Sequence, residues 1–486
     1  MTREKIMKTI SNLKKSSYYE EWMSEFAKIE SKKFGQDAIP TTEYNIELVF
    51  NNDKNLSGKI VYNMFANRTE KTGPMPWDVV CPEENLKGNQ RWTDDDFSGL
   101  SIYLGQRYGL RNKDMIRNYL RIYRYQHRYH PVQKFLKEQT WDGKPRVETI
   151  FIDFFGCTDN VYTREVAKVF FVAAVKRIFE PGAKFDYLPI LVSSNNGEAQ
   201  GLGKSTFWEK LVYNREWFNS SIDANLGKES MIGLQGKWIV NFEELAVQRK
   251  SDINTFKAFL SNTMDTYRKP YDTDIQDFPR QCCFVANSNT DDFLRDYSGN
   301  RRFFPLDCHP RDNIEKWNKK HPELNLEDVH DHWRIIDEFL TEDYVKQFWG
   351  EAYHLYRHEY KDAKLTLYGE AAKIAEHEQT KHEFQSAMYD AIEEHLSVLV
   401  PGTWKAFSAQ ERADYYKKRD FEEGVAEVTE TSVREIWLEC FQAGNRRITN
   451  SESAEVKHVL ESLGWKPVGA KRHGPYGVVK NCYELK

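Results

Sequence analysis

Residues 188–206 read LPILVSSNNGEAQGLGKST, an apolar run of strand length followed by a glycine-rich turn. Glycine adopts backbone conformations that other residues avoid, so Gly201 and Gly203 let successive N–H groups point at one position. A helix is expected to begin at Lys204, and its N-terminus adds partial positive charge at that same position. The stretch therefore predicts a phosphate-binding loop (P-loop) within an α/β domain.

The predicted ligands of this loop are ATP and Mg²⁺. Lys204 is placed to reach the outer phosphates, and the Ser205 hydroxyl is placed to hold the metal. Strict P-loop spacing requires glycine at position 198, but the chain has Glu198, and the glycine comes one residue earlier. The alternative is a chance Gly-Leu-Gly-Lys-Ser in an ordinary strand–helix connection. The residues predicted to bind the nucleotide are Gln200, Gly201, Gly203, Lys204, Ser205 and Thr206.

A second apolar run, 238–242, ends in two adjacent glutamates. Enzymes that transfer phosphoryl groups need carboxylates beside the phosphate loop to hold Mg²⁺ and to position the attacking water. Glu243 is therefore predicted as a metal and catalytic residue, and Glu244 as the catalytic base. The alternative is an acidic, solvated strand end.

A third apolar run, 282–286, is followed by Asn289, whose amide can contact both the attacking water and a phosphate oxygen. Asn287 is the second choice for this role. Further on, a Gly-Asn turn precedes Arg301 and Arg302, and either one could stabilise charge at the γ-phosphate, including that of a neighbouring copy. The alternatives are an asparagine-rich turn and a surface arginine pair.

The composition fits an ordinary globular protein. The 486 residues include 40% hydrophobic and 29% charged residues, with a formal net charge of −5. The seven cysteines form no CxxC pair, which argues against a zinc module and a disulfide framework. The N-terminus lacks the apolar segment of a signal peptide, and no 18-residue apolar run occurs, so we expect a cytoplasmic location and no membrane contact.

Two regions are candidates for DNA contact despite the acidic total. Arg117, Arg121, Arg124 and Arg128 are spaced by 4, 3 and 4 residues, which predicts one basic helix face, with a plain solvated face as the alternative. Residues 426–486 predict a winged helix, in which two helices precede a hairpin carrying Lys471 and Arg472. Such modules also serve as protein-interaction domains. His330-Asp331-His332 lacks a third metal ligand and is expected to be structural.

Six short motifs occur in order along the middle of the chain. They are HPV at 130–132, WDGKPR at 141–146, QGLGKST at 200–206, GKW with EEL within 236–245, RKPY at 268–271, and GNRRF at 299–303. With this set the chain resembles the virulence-associated protein E family, replication proteins of phages and pathogenicity islands whose P-loop core is related to superfamily 3 and AAA+ helicases. Asn241 departs from the acidic residue expected there, as Glu198 departs from glycine.

The resemblance implies an ATP-driven, ring-forming DNA helicase, expected to be a hexamer, that acts on single-stranded DNA and on a duplex origin in replication of a mobile element. A primase is a possible further partner. The resemblance assigns Glu244 as catalytic acid, Asn289 as sensor and Arg301 or Arg302 as finger, and it places Arg268 and Lys269 at the pore. Two alternatives stay open: an ATP-dependent initiator or assembly switch without unwinding activity, and a DNA-binding regulator with a degenerate nucleotide site.

The expected architecture has four parts. They are a mainly helical domain at 1–140, an α/β P-loop ATPase domain at 141–350 with its core at about 183–310, a helical connector at 351–425, and a winged-helix domain at 426–486.

Overall fold

The computed structural model of the chain describes residues 21–31, 36–78, 90–193, 201–222, 226–243, 250–269, 274–289, 300–382, 387–418, 424–444 and 446–485. Three residues singled out in the sequence, Glu198, Gln200 and Glu244, lie outside these ranges. Within them, all cysteines are free. No helix in the described part of the chain has the length and apolar character needed to cross a bilayer.

The N-terminal part combines helices with two small sheets. Strands β1 (Ile29–Ser31) and β2 (Gln36–Ala38) form an antiparallel pair. A second sheet has the order β5-β4-β3-β6. Its strands are β3 (Ile60–Asn63), β4 (Arg68–Lys71), β5 (Gln90–Arg91) and β6 (Arg128–Tyr129). Among the described residues of this part, the α-helices are α1 (Glu43–Asn52), α2 (Asp94–Arg107), α3 (Lys113–Gln126) and α4 (Pro131–Glu138). The sequence pattern did not predict the second sheet, because its strands are two to four residues long.

The central part is an open sheet whose strands alternate with helices. Its elements are α5 (Ile150–Phe155), α6 (Val161–Phe179), β7 (Leu188–Val192), α7 (Lys204–Leu211), β8 (Phe218–Asn219), α8 (Lys228–Gly233), β9 (Ile239–Phe242), α9 (Lys250–Ser261), β10 (Met264–Arg268), β11 (Ile275–Pro279), β12 (Cys283–Ser288) and β13 (Phe303–Asp307). Five of the strands form one sheet in the order β13-β7-β12-β9-β8. Every neighbouring pair in it is parallel. β10 and β11 form a separate antiparallel hairpin.

The central sheet is buried on both faces, as its apolar strands predict. Leu188 and Ile190 of β7 belong to a core cluster with Phe256 and Phe259 of α9. Leu191, the residue after Ile190, belongs to the larger cluster that contains most of α6. Successive side chains of a strand point to opposite faces, so the sheet separates the two clusters into a three-layer arrangement.

Four further α-helices of the described chain contribute to the central hydrophobic cluster. They are α10 (Pro310–Lys320), α11 (Trp333–Phe339), α12 (Glu342–His358) and α13 (Gly369–Lys381). Ala371 and Ala375 of α13 lie in the central cluster, and Gln379 donates to the carbonyl of Phe303 at 2.9 Å. The next helices, α14 (Ala387–Ser397) and α15 (Ala409–Lys418), contribute to the C-terminal cluster instead. Residues 351–425 are thus shared between two cores.

The C-terminal part contains two helices and a three-stranded sheet. Its elements are β14 (Glu430–Ser432), α16 (Val433–Glu439), α17 (Asn450–Ser462), β15 (Trp465–Arg472) and β16 (Val478–Leu485). The sheet order is β14-β16-β15, and both pairings are antiparallel. Two side chains from the turn of the last hairpin pack against α16. His473 Nε2 lies 2.5 Å from Glu435 Oε2, and the Tyr476 hydroxyl donates to Glu439 at 2.5 Å.

Candidate functional site

The carboxyl ends of three parallel strands bring the predicted polar residues to one edge of the sheet. β7 lies beside β12, and β12 lies beside β9, so the residues that follow these strands are neighbours. These residues are Ser193, Asn289 and Glu243. The Ser193 N–H donates to the Ser288 carbonyl at 3.0 Å, which extends the pairing of β7 and β12 beyond the strands. In open α/β sheets this is the edge where ligands bind.

The glycine turn enters the site just before α7. Gly201 and Gly203 have φ angles of +86° and +80°, which L-residues with side chains rarely adopt. At Gly203 a Cβ would also lie 2.8 Å from Cδ1 of Ile336, closer than packed carbon atoms approach. The backbone conformation therefore favours glycine at 203, and a Cβ there would also force the Ile336 side chain of α11 to shift.

Lys204, the first residue of α7, is buried and fully engaged. Its Nζ lies 2.5 Å from Ser193 Oγ, 2.8 Å from Asn289 Oδ1 and 3.2 Å from the Ser288 carbonyl oxygen. Burial lowers the pKa of Lys204, and the nearby Cys308 and Glu243 act in the opposite direction. The lysine thus links the ends of β7 and β12 at the mouth of the glycine turn.

Glu243 is exposed, but its carboxylate is held from below by two asparagine amides. Asn241 Nδ2 donates to Oε1 at 2.8 Å, and Asn287 Nδ2 donates to Oε2 at 3.2 Å. The Oδ1 atoms of both asparagines are buried and have no hydrogen-bond partner. Asn241, which stands where an acidic residue was expected, therefore orients Glu243 without adding charge, and of the two asparagines only Asn287 lines the cavity described next.

These groups line one cavity of about 550 Å³. The lining residues are Gly201, Leu202, Gly203, Lys204, Ser205, Thr206, Glu243, Asn287, Asn289, Trp333 and Asp337. The structure therefore brings together the described members of the predicted nucleotide site. The residues that line the cavity fit a magnesium–phosphate group, since they offer a hydroxyl, a carboxylate, the unpartnered amide oxygen of Asn287 and an ammonium.

Trp333 and Asp337 are site residues that the sequence analysis missed. Both lie on α11, more than 120 residues after the glycine turn, and no local pattern distinguishes them from other residues of an amphipathic helix. Asp337 pairs with Lys210 of α7 at 2.5 Å, which joins the two helices on the rim of the cavity.

His332 holds the glycine turn through a hydrogen bond to its backbone. Its ring is fully buried, with Nδ1 at 3.1 Å from the Leu202 carbonyl oxygen and Nε2 at 3.1 Å from Asn313 Nδ2. Burial lowers the pKa of His332 to about 4, although the Leu202 carbonyl opposes this. The neutral ring thus donates to the loop and accepts from Asn313, the structural role expected for this histidine.

The two candidate arginines lie at the other end of the sheet. They occupy a short 3₁₀ turn, Asn300–Arg302, directly before β13, and β13 runs parallel to β7 with Phe303 opposite Leu188. Arg302 pairs with Asp186 at 3.2 Å and donates to Ser261 Oγ at 3.1 Å, whereas Arg301 is exposed. Both arginines are therefore a full strand length away from Lys204 of the same chain.

The hairpin β10–β11 carries the two residues predicted to face the pore, Arg268 and Lys269. Arg268 is exposed, while Lys269 donates to the carbonyl of Asn67 at 3.0 Å and lies over the Phe278 ring. The base of the hairpin is fixed by buried Arg280, whose two donors contact Asp265 at 2.7 and 2.8 Å. Of the two predicted contacts, Arg268 is the more accessible.

The predicted arginine stripe is wrong in two of its four members. Arg117 and Arg121 are exposed on α3, as expected. The helix ends at Gln126, however, so Arg128 lies in β6. Arg124 turns inward, because it donates to Thr69 Oγ1 at 2.6 Å and stacks 5.3 Å from the Tyr62 ring. The prediction from helical spacing failed because the small sheet against which Arg124 packs was not foreseen.

In the C-terminal hairpin the two predicted DNA contacts differ. Lys471 pairs with Glu484 at 2.7 Å and with Glu430 at 3.3 Å, so its charge is largely neutralised. Arg472 is exposed.

A second group of possible metal ligands lies at the end of β13. Asp307, Glu378 and His382 offer ligand atoms within 4.8 Å of one another. Lys381 pairs with Asp307, and His382 Nε2 lies 2.8 Å from it. Burial raises the pKa of Asp307, but the bonds from His382 and Lys381 outweigh it and lower the pKa to about 2. The Lys381 ammonium thus already supplies the positive charge that a metal ion would bring to Asp307.

Two of the ordered motifs have structural roles. In WDGKPR, Arg146 forms two bonds of 2.7 Å with Asp142, and the Arg146 N–H donates to Glu351 of α12 at 2.6 Å. In HPV, His130 caps α4 by accepting from the Gln133 N–H at 3.2 Å, and its Nε2 lies 2.7 Å from Gln281 Oε1. Both motifs attach the segment before the sheet to the central core.

Among solved structures, the chain is similar to three structures of the C-terminal region of NrS-1 without ligand. Each is 12% identical in sequence, with TM-scores of 0.42–0.43. The alignments cover 88–89% of this chain and 96–100% of the NrS-1 chains. Similarity at this level carries no argument about residue roles. No curated protein matches the chain.

The family comparison concerns the central part of the chain. The model of the virulence-associated protein E-like domain matches residues 136–384, just over half of the chain. This range includes the glycine turn, the five-stranded sheet and α13, and it ends 34 residues beyond the predicted boundary at 350, in agreement with the packing of α13 on the central core. The chain belongs to the virulence-associated protein E family.

Proposed function

We propose that this protein is a P-loop ATPase of the AAA+/superfamily 3 type that forms a ring and moves along DNA in the replication of a phage or other mobile element. One observation carries the proposal. Lys204, Glu243 and Asn289 converge in a single cavity beside the glycine turn, at the carboxyl edge of a parallel sheet.

The cavity suits a triphosphate for physical reasons. The first N–H groups of α7 have no partners within the helix, and they face the same space as the glycine turn. Lys204 adds a charge, and its low-dielectric surroundings strengthen any contact with an anion. In this proposal the backbone of residues 200–206 and the Lys204 ammonium hold the phosphates.

Magnesium would be held by Ser205 and Glu243, and when bound it would neutralise charge on the outer phosphates. Asn241 and Asn287 fix the Glu243 carboxylate, so this ligand is oriented before any nucleotide arrives. Glu244, the next residue, is proposed to accept a proton from the attacking water. Asn289 is proposed to contact the same water or a γ-phosphate oxygen.

The positions of the arginines support assembly. β13 has five residues, so the turn carrying Arg301 lies about 16 Å from the carboxyl edge at 3.3 Å per residue. Arg301 therefore cannot reach the phosphates of its own chain, but it is exposed and could reach those of a neighbour. We propose a ring of six copies, as the resemblance to superfamily 3 and AAA+ helicases implies. Such a ring would supply one arginine at each interface.

DNA is the proposed partner. Arg268 on the β10–β11 hairpin, together with Arg117 and Arg121 on α3, offers exposed positive charge for phosphates. The C-terminal part has the two helices and the hairpin of a winged helix, and Arg472 is exposed there, so duplex contact is proposed for it. Recruitment of a primase remains part of the proposal.

The decisive experiment measures phosphate release with ATP, Mg²⁺ and single-stranded DNA. The wild-type protein should turn over ATP, and Lys204→Ala should reduce turnover by about 10³-fold or more, since both a phosphate contact and the link between the strand ends are lost. Lys319→Ala, an exposed lysine of α10 outside the cavity, is the matched control and should behave like wild type. Absence of turnover in the wild type would favour a regulatory DNA-binding protein with a degenerate site.

A second candidate function is an ATP-dependent initiator or assembly switch that unwinds nothing. The same cavity would serve it, because nucleotide binding alone suffices for assembly. Strand separation on a forked duplex, with and without ATP, distinguishes the two. A protein that hydrolyses ATP and assembles, yet leaves the fork intact, is the initiator.

A further inference from the structure

Trp333 stands on the rim of the nucleotide cavity with an exposed indole. It is the first residue of α11, it lines the cavity together with the glycine turn, and 49% of its surface is accessible. Its Cα and Cβ lie 3.4 Å from the position that a Cβ would take at Gly203. A large aromatic side chain with half of its surface in water is therefore placed directly beside the loop proposed to hold phosphates.

The start of α11 is fixed relative to this loop. His332, the preceding residue, bonds to the Leu202 carbonyl, and Ile336, one turn later, packs against Gly203. Lys210 of α7 bonds to Asp337 on the same helix. Three contacts thus hold the backbone that carries Trp333, so the ring has a defined distance from the phosphate-binding turn without being buried by them.

An aromatic ring in this position has a chemical use. Inorganic phosphates have no flat apolar surface, whereas a nucleotide carries a base whose face stacks on an indole. The cavity volume of about 550 Å³ is within the range of small-molecule sites and exceeds what phosphate groups alone require. Apart from Asp337, the polar lining residues belong to α7 and to the ends of the strands, and Trp333 is the aromatic residue among those that line the cavity.

We propose that Trp333 is the stacking platform for the base of the bound nucleotide, so that the site selects nucleoside triphosphates over bare polyphosphates. This inference rests on the proposed function, because it assumes that the phosphates lie in the glycine turn. Trp333 is a positioning residue in this proposal: it touches the base, and Lys204 and the loop amides hold the phosphates.

The test compares two ligands in calorimetric titrations with Mg²⁺, ATP and inorganic tripolyphosphate. Trp333→Ala should raise the Kd for ATP about tenfold, equal to about 1.4 kcal/mol and within the range of single base–aromatic stacks. The Kd for tripolyphosphate should not change. Trp333→Phe, which keeps a ring, should recover most of the ATP affinity. Tyr368→Ala removes an aromatic residue that is 61% exposed outside the cavity, and it should bind both ligands like wild type.

Several results would overturn the inference. Equal losses for ATP and tripolyphosphate in Trp333→Ala would mean that the residue only supports the loop. Unchanged ATP affinity in that variant, or equal affinity of the wild type for the two ligands, would mean that the base is bound elsewhere, and the phosphate site would stand. If the wild type binds neither ligand, the proposed function and this inference fall together.

Discussion

Arg302 and Asp186 form an ion pair of 3.2 Å at the amino edge of the central sheet, the edge opposite to Lys204. Asp186 precedes β7 and Arg302 precedes β13, so the pair ties the starts of two adjacent parallel strands. Their side chains are 12% and 19% exposed. Of the two arginines that the sequence left equivalent, one is therefore committed to the fold and the other, Arg301, is available for a partner.

This difference predicts complementation between inactive variants. Arg301→Ala should bind ATP normally but lose hydrolysis by about 10³-fold, because the charge that acts on a neighbour's phosphates is missing. Lys204→Ala should also be inactive. A mixture of the two should regain part of the turnover, since some interfaces combine an intact loop with an intact arginine. Turnover is measured across mixing ratios at fixed total protein.

The companion variant Arg302→Ala should act on stability instead. It leaves Asp186 partly buried without its cation, which costs about 1–3 kcal/mol. Chemical denaturation checks this value. If Arg302→Ala is stable and inactive while Arg301→Ala is active, the assignment of the two arginines must be exchanged, and if mixtures never recover turnover the site is complete within one chain.

Asn289 is predicted to affect the rate of hydrolysis more than nucleotide binding. Its Oδ1 accepts from Lys204 at 2.8 Å, and it is exposed at the carboxyl end of β12. Asn289→Ala should lower kcat by about 10²-fold, because one positioned hydrogen-bond partner in the transition state is lost, with a change in KM of about threefold or less. Steady-state kinetics over a range of ATP concentrations measure both. A large rise in KM at constant kcat would show a binding role instead.

The arginines of α3 should separate DNA binding from folding. Arg121 is exposed, so Arg121→Ala should weaken binding to single-stranded DNA and reduce the slope of log Kd against log salt concentration by about one. Arg124 packs on Tyr62 and bonds to Thr69, so Arg124→Ala should lower stability by about 1–3 kcal/mol. Fluorescence anisotropy at several salt concentrations and denaturation provide the readouts. An unchanged salt slope in Arg121→Ala would remove α3 from the DNA interface.

His332 predicts a loss of stability in mild acid. Burial lowers the pKa of His332 from 6.5 to about 4, so below pH 6.5 the unfolded chain takes up a proton that the folded protein excludes. The free energy of unfolding that the neutral His332 contributes is therefore fully present above pH 6.5 and is lost progressively toward pH 4. The loss at pH 5 is about 2 kcal/mol. His332→Gln keeps a polar side chain and removes the titration, so its stability should fall less between pH 7.5 and pH 5. Denaturation at the two pH values measures the difference.

The glycine turn and the strands around it could be predicted from sequence because their signals are local. The apolar runs predicted at 188–193, 238–242 and 282–286 correspond to the strands Leu188–Val192, Ile239–Phe242 and Cys283–Ser288, and a helix begins at Lys204, as expected. Parallel strands that end together then bring Glu243 and Asn289 to Lys204, a consequence that follows once the strands are recognised. The difference between Arg301 and Arg302 could not be foreseen, because Asp186, which pairs with Arg302, is distant in sequence.

The remaining parts depend on contacts between distant segments. Trp333 and His332 reach the site only because α11 packs on the loop, more than 120 residues earlier in the chain. Arg124 was assigned to a basic surface because a helical repeat reports which residues share a face but not what that face meets. The N-terminal sheet that Arg124 meets has strands too short to give a repeat.

The Lys204 ammonium has three hydrogen-bond acceptors: a hydroxyl, a backbone carbonyl and an amide oxygen. If a phosphate binds here as proposed, its oxygen would have to displace one of these acceptors, so binding would exchange one hydrogen bond for another. The displaced acceptor is free to turn toward other groups. Because Ser193 follows β7 and Asn289 follows β12, releasing either of them loosens a cross-link between two strands. A nucleotide bound as proposed would therefore weaken a side-chain link between the ends of β7 and β12.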